Sequence, residues 1–204
     1  MKVLLTGSSG QLGNALKIAS PEGVQLLTPS KDELDLMDIR GCFDYVNKFK
    51  PDFILNSAAY TNVDKAESFE KESFLINRDA PKAFAEALRN YDGQLIHIST
   101  DYVFDGDNNQ PYLTEYKPNP LSIYGKSKAE GESEILKILG KTNQVIILRT
   151  SWLYSYFRNN FVLTMLRLHK EKEEIKVVSD QYGSPTSCTS LSKTCWEIIN
   201  FICK

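Results

Sequence analysis

The sequence predicts an α/β fold, a doubly wound parallel sheet covered by helices on both faces. Three observations carry this. Short apolar runs alternate with helical periodicity almost throughout the chain. The runs are continuous, as in Val3-Leu4-Leu5 and Phe53-Ile54-Leu55, which is what strands buried on both faces require. A glycine-rich turn joins the first run to the first helical pattern, where such folds gather backbone N–H groups.

The elements follow in order. Residues 2–6 form the first strand. Leu12, Ala15, Leu16 and Ala19 recur at helical spacing over 11–19. Residues 24–27 are a second strand, ended by Thr28-Pro29-Ser30. Phe43, Val46 and Phe49 mark a helix over 39–49, and Pro51-Asp52 introduces a third strand at 53–55. Residues 71–90 read as one long helix with Pro81 in a kink. A fourth strand at 94–98, a helix at 122–139 and a fifth strand at 145–148 come next. A helix over 160–170, a strand at 175–178 and a terminal helix over 191–203 complete the chain. Residues 105–120, with Gly106, Pro111, Pro118 and Pro120, read as a long surface loop, and such loops are often functional. The expected organisation is a nucleotide-binding region over 1–150, then the last sheet elements and a partial lobe over 151–204, in a single structural unit.

Composition narrows the function. The 204 residues are 42% hydrophobic and 25% charged, enough for one domain with a sizeable core. A net charge of −2 gives no electrostatic basis for nucleic acid or an anionic membrane as a main partner. No apolar run is long enough to span a bilayer, and the first is too short for a signal-peptide core, so a cytoplasmic location is expected. Cys42, Cys188, Cys195 and Cys203 include no CxxC pair, and His97 and His169 are the two histidines. No metal site is expected, and the cysteines read as free thiols in a reducing compartment.

Gly7-Ser8-Ser9-Gly10-Gln11-Leu12-Gly13 places glycines at intervals of three between a strand and a helix. In that context Gly7 permits the tight turn, Gly10 lets a pyrophosphate approach the backbone, and Gly13 allows close packing. The helix N-terminus then offers free N–H groups to phosphate. The fold is therefore a Rossmann-type sheet. At the end of the second strand, a carboxylate would suit the ribose 2′-hydroxyl of NAD. Ser30 and Lys31 offer a hydroxyl and an ammonium instead, and the first acid is Asp32. NADP(H) is the expected cofactor, with NAD(H) as the alternative.

Tyr124 and Lys128 stand four apart at the start of a predicted helix and share one face. A free tyrosine, with a pKa of about 10, is a poor acid near neutrality. A neighbouring ammonium lowers that value, so Tyr124 can give a proton to a carbonyl oxygen while Lys128 holds the cofactor ribose. Thr100, at the end of the fourth strand, can bond the same oxygen. Thr100, Tyr124 and Lys128 are the expected catalytic triad.

Longer stretches extend the pattern. They are the turn 7–13, Leu34-Asp35-Leu36-Met37-Asp38, the run 56–67 (NSAAYTNVDKAE), Asn77, the run 98–106 (ISTDYVFDG), Gly131-Glu132, Arg149-Thr150-Ser151-Trp152-Leu153-Tyr154, Asn159-Asn160-Phe161, and 180–186 (DQYGSPT). Over nearly its whole length the chain resembles the dTDP-4-dehydrorhamnose reductase family of extended short-chain dehydrogenase/reductases. That family reduces the 4-keto group of a dTDP-6-deoxyhexose with NAD(P)H, forming dTDP-L-rhamnose. The resemblance implies that Gly10, Gln11 and Leu12 meet the pyrophosphate and that Asp35 and Leu36 lie by the adenine. It implies that Ala58, Ala59, Tyr60 and Thr61 line the nicotinamide side, with Val63, Thr100, Asp101 and Trp152 toward the sugar. Core filling is the plainer reading of Trp152.

Dehydratases of the superfamily place Asp-Glu after the threonine. Here Thr100 is followed by Asp101-Tyr102, which favours simple reduction. Two departures stand out. Family members continue well past the 180–186 segment, so the resemblance implies an incomplete C-terminal substrate lobe in a truncated, degenerate or split copy. Some members bind magnesium through glutamates at a dimer interface, but Ala15 stands two after Gly13 and that metal is not carried over. A nucleotide sugar is the expected partner, and a homodimer is a candidate assembly. The alternatives are a non-catalytic relative, similar to the regulatory subunit of methionine adenosyltransferase, and a reductase or epimerase of another nucleotide sugar.

Overall fold

The computed structural model describes residues 1–204. Five parallel strands form one sheet in the order β2-β1-β3-β4-β5. They are β1 (Lys2–Thr6), β2 (Gln25–Leu27), β3 (Phe53–Asn56), β4 (Gln94–Thr100) and β5 (Val145–Thr150). The order reverses between β1 and β3, the switch point where open α/β sheets bind ligands.

Side-chain alternation fixes what each face carries. Val3, Leu5, Phe53, Leu55, Ile96 and Ile98 point to one side. There they meet α1 (Gln11–Ile18) and α8 (Cys188–Ile202) through Leu12, Leu16, Trp196 and Ile199. Leu4, Ile54 and Leu95 point to the other. That side is covered by α2 (Ile39–Phe49), α5 (Ala80–Leu88) and α6 (Ile123–Leu139). Helix α8 thus returns from the end of the chain to the first strand's core, where Trp196 Nε1 donates to the Leu16 carbonyl at 3.0 Å. No helix is long and apolar enough to cross a membrane.

Two expectations need correction. The long helix at 71–90 is composite: α4 (Glu70–Phe74), a π-helical turn (Leu75–Asp79), then α5. Pro81 has no N–H to give the Asn77 carbonyl, and the Ala80 N–H reaches back five residues to Leu75. The strand expected at 175–178 is absent. Val177 and Val178 are 52% and 67% exposed, with no neighbouring strand to pair with.

The remaining elements are short. A helical turn, α3 (Val63–Ala66), is capped by Asn62. A 3₁₀ turn, Asp101–Val103, is capped by Thr100. The strands β6 (Leu153–Tyr154) and β7 (Thr186–Ser187) form a two-stranded parallel ribbon flanking α7 (Phe161–Glu171). From residue 151 to 187 no residue is buried.

Candidate active site

The glycine turn sits at the C-terminal end of β1. Gly7 adopts φ +68°, and a Cβ there would lie 2.8 Å from the backbone of Ala58. Only glycine suits that left-handed conformation with so close a neighbour. A Cβ on Gly13 would run into the Gly7 carbonyl oxygen and the Ser8 Cα. Gly13 therefore serves the turn's own backbone rather than helix-to-strand packing. No side chain caps α1 at Gly10, whereas Asp38, Ser122 and Asn160 cap α2, α6 and α7.

The side chain of Gln11 turns toward the C-terminal region. Its Oε1 accepts from Asn160 at 2.9 Å and Ser155 at 3.1 Å, while Arg158 donates to the Ser9 carbonyl at 2.9 Å.

Beyond β2, Ser30 and Lys31 are exposed. The sequence reading missed Glu33, whose carboxylate accepts from the Ser30 N–H at 2.8 Å and is held below its ordinary pKa by that bond. Asp35 accepts from the Met37 N–H, and Leu36 packs against the core beside it.

The segment after β3 is clamped from behind. Asn77, buried in the π turn, accepts from the Tyr60 N–H at 2.8 Å and donates to the Tyr60 carbonyl at 3.1 Å. It also donates to Ser127 Oγ on α6 at 2.9 Å. One amide thus fixes the 58–61 segment against the helix that carries Tyr124 and Lys128. Gly131 makes this approach possible, because a Cβ there would strike the Asn77 carbonyl. Thr61 is exposed and Val63 half-buried.

Thr100, Asp101, Tyr124 and Lys128 gather at the C-terminal end of β4 and the start of α6. Thr100 donates to Asp101 at 3.0 Å and accepts from the Tyr102 N–H at 3.2 Å. Burial raises the pKa of Asp101. The rings of Tyr102 and Tyr124 meet edge to face, 5.5 Å apart. Burial pushes Tyr124 up to about 12, opposed by the Thr100 hydroxyl and aided by the Asp101 charge.

Lys128 does not hold Tyr124 down. It is 1% exposed and donates to the Ile98 carbonyl at 2.7 Å, with His97 Nε2 at 3.3 Å. Burial lowers Lys128 to about 8, partly offset by the charge of Glu132. Glu132 is gripped by Arg149 through Nη2 at 2.6 Å and Nε at 3.0 Å, and that guanidinium lies over the Phe104 ring.

Behind Lys128 runs a polar row that the sequence reading missed. Thr6 donates to Asn56 Oδ1 at 2.7 Å, and Asn56 Nδ2 meets His97 Nδ1 at 2.9 Å. Ser99, two residues beyond His97, has a buried hydroxyl without a partner.

The substrate side is open. Trp152 adopts φ +46°, is 44% exposed and packs against Gly183. Two open cavities, of about 550 and 800 Å³, lie under the 105–119 loop and beside the α4 and π-turn surface. Neither includes Tyr124, Lys128 or Trp152. The candidate chemistry sits at the C-terminal end of the inner strand β4, apart from both cavities.

Residues 1–204 match the family described as RmlD substrate binding domain. A dTDP-4-dehydrorhamnose reductase of Sinorhizobium fredii is 43% identical over 94% of this chain. A dTDP-4-dehydrorhamnose reductase of Bacillus anthracis, solved in complex with NADP, superposes with a TM-score of 0.91 at 40% identity. That superposition covers 98% of this chain and 70% of the other. A Clostridium acetobutylicum dTDP-4-dehydrorhamnose reductase superposes with a TM-score of 0.91 at 38% identity over the same shares. The chain spans 64% of the length of the S. fredii relative.

Proposed function

The chain belongs to the RmlD substrate binding domain family, and from that membership we propose that it binds NADP(H) and reduces the 4-keto group of dTDP-4-dehydro-6-deoxy-L-mannose, giving dTDP-L-rhamnose. The observation that carries this reading is the convergence of Thr100, Asp101, Tyr124 and Lys128 at one end of the sheet, beside the uncapped turn 7–13.

Three features fit a dinucleotide. The turn closes tightly on its own backbone and on Ala58 because Gly7 and Gly13 lack a Cβ, as a dinucleotide turn requires. No side chain caps the N–H groups at the start of α1, which leaves that helix end for an anion. The Ser99 hydroxyl is buried and unpaired, where a native protein normally supplies a partner.

In this reading Gly7, Gly10, Gln11, Leu12 and Gly13 hold the diphosphate through backbone N–H groups. Asp35 and Leu36 border the adenine, and the clamped Ala58, Ala59, Tyr60 and Thr61 border the nicotinamide. Ser30 and Lys31 favour a 2′-phosphate, against the nearby Glu33 carboxylate. The nicotinamide cofactor, when bound, supplies the hydride. Tyr124 gives its proton to the developing alkoxide, Thr100 orients that oxygen, and Lys128 would hold the ribose of the cofactor. Val63, Asp101 and Trp152 stand on the sugar side.

The test is NADPH oxidation by the purified chain with the dTDP-linked 4-keto sugar. Turnover that Tyr124→Phe abolishes supports the reading. Tight NADPH binding with no turnover of any keto-sugar nucleotide overturns the catalytic part. A second reading, cofactor binding without catalysis, draws on Tyr124 at about 12 and on Lys128 turned away from it. Clearly tighter NADH than NADPH binding would reverse the cofactor preference.

A further inference from the structure

Thr6, Asn56 and His97 lie side by side across three strands. Register pairs Thr6 with Asn56 and Asn56 with His97. Each stands two residues beyond a core residue, Leu4, Ile54 or Leu95, and so shares the α6 face of the sheet. All three are at least 97% buried. The row ends on Lys128 at one side. At the other, the Ala58 N–H donates to Thr6 Oγ1 at 3.3 Å, against the backbone where Gly7 admits no Cβ.

Hydrogen-bond polarity along the row runs one way. Ala58 N–H donates to Thr6, Thr6 donates to Asn56 Oδ1, and Asn56 Nδ2 donates to His97 Nδ1. A neutral imidazole then carries its proton on Nε2, facing Lys128 Nζ. An ammonium has no lone pair to accept it. In this polarity Lys128 is the neutral amine, accepting from His97 and donating to the Ile98 carbonyl. Charging Lys128 requires each side-chain link to turn round, while the Ala58 N–H still donates to Thr6. The ammonium donates to His97 Nε2, His97 Nδ1–H donates to the rotated Asn56 amide oxygen, and Asn56 Nδ2 donates to Thr6. The Thr6 O–H is then released at the root of the glycine turn. The balance is one proton: amine, Nε2–H imidazole and a proton from solvent become ammonium and Nδ1–H imidazole.

We infer that Thr6, Asn56 and His97 form a reversible hydrogen-bond relay whose direction is set by the protonation of Lys128, so that the charge at the Tyr–Lys end is transmitted to the glycine turn. His97 is a positioning residue in this arrangement. Its burial, together with the Lys128 charge, keeps its pKa well below the usual value, so it switches tautomer instead of charging.

The surroundings isolate the pair. On α6 itself Glu132 faces Lys128, and its charge is met by Arg149 from β5. Asp101 of the 3₁₀ turn acts on Tyr124. Arg78 and Asp79 of the π turn pair with each other, and Arg78 also with Glu130. Lys82 of α5 pairs with Glu134. Of the charged side chains of α3 and α4, Asp64, Lys65, Glu70 and Lys71 are exposed and Glu72 is half-buried. The relay's consequence for reduction rests on the role proposed for Lys128; the relay itself does not.

The experiment is ¹⁵N NMR of the whole chain with labelled histidine and lysine. The protein has two histidines, and His169 is exposed, so the buried ring is identifiable. His97 is expected neutral with its proton on Nδ1 at about pH 6.5 and on Nε2 at about pH 9.5. The exchange centres on the Lys128 transition near pH 8 and disappears in Lys128→Met. Should that variant fail to fold, the Lys128 Nζ signal of the unsubstituted chain serves instead, and its midpoint must coincide with that of the His97 ring. A single tautomer across the range, an imidazolium at about pH 6.5, or separate midpoints overturns the relay. Keto-sugar turnover with a fixed tautomer removes only the relay. Tautomer switching without turnover removes only the proposed reduction.

Discussion

The five-stranded sheet and the segment from 151 to 187 are built on opposite terms. In the sheet and the helix α6 packed on it, polar side chains such as Asn56, His97 and Lys128 are almost wholly buried, and each has hydrogen-bond partners. In the segment no residue is buried, and Tyr156, Tyr182, Phe161 and Leu166 are mostly exposed. Its attachment to the glycine turn is polar: Gln11 with Ser155 and Asn160, and Arg158 with the Ser9 carbonyl. The acid–base geometry thus belongs to the rigid part, while the Trp152 side of the site lies on a loosely anchored one.

This contrast breaks first at Tyr124. If the chemistry resides in the rigid part, Tyr124→Phe lowers keto-sugar turnover by about 10²–10⁴-fold. NADPH affinity, followed by fluorescence, stays nearly unchanged. A loss of affinity equal to the loss of rate would move Tyr124 from chemistry to binding.

The next test concerns the buried charge. Lys128 titrates lower in the folded chain, near pH 8, than in the unfolded one, near 10.4. Between those values the unfolded chain holds more protons, so stability rises with pH. The penalty, on the order of 3 kcal/mol, is complete below about pH 8 and relieved above the unfolded value. Lys128→Met lacks this slope. Its stability advantage in urea titrations should therefore shrink by that amount as pH rises through the window; a constant difference contradicts the assignment.

A paired glycine substitution sharpens the comparison. A Cβ on Gly13 meets fixed backbone, whereas a Cβ on Gly183 meets the indole of the exposed Trp152. Gly13→Ala should cost about 1–3 kcal/mol and weaken NADPH binding. Gly183→Ala should cost under about 0.5 kcal/mol. Equal melting-temperature shifts would show that the two regions are equally rigid. The smallest effect is expected on α7, where Leu166→Ser should change stability by no more than about 0.5 kcal/mol and improve solubility.

What the sequence disclosed follows from how each signal is encoded. The parallel strands were legible because burial on both faces leaves unbroken apolar runs. The segment 175–178 misled for the same reason, since a short β-branched run promises a strand only where a neighbour exists to pair with it. Tyr124 and Lys128 were found by spacing. The expected pull of Lys128 on the phenol was not realised, because burial dominates both groups and the lysine turns to Ile98 and His97. Asn77 and Gly131 stood in the motif pattern without a role, because their contact spans 54 residues. Thr6, Asn56 and His97 could have been found: each sits two past a core residue in the neighbouring strands β1, β3 and β4, so period-2 alternation places them on one face. Glu33 was overlooked because its reach back to Ser30 depends on the turn between them.

The π turn at Leu75–Asp79 has a bearing on deletion and insertion. Each residue of a helix advances the phase by about 100°. The turn's extra residue acts as a phase shifter between α4 and α5, letting Asn77 address the 58–61 segment while Ala83, Phe84 and Leu88 still meet the sheet. Removing a single residue there would put the two halves out of step. A single codon thus sets whether the Tyr60 clamp and the core can be satisfied together.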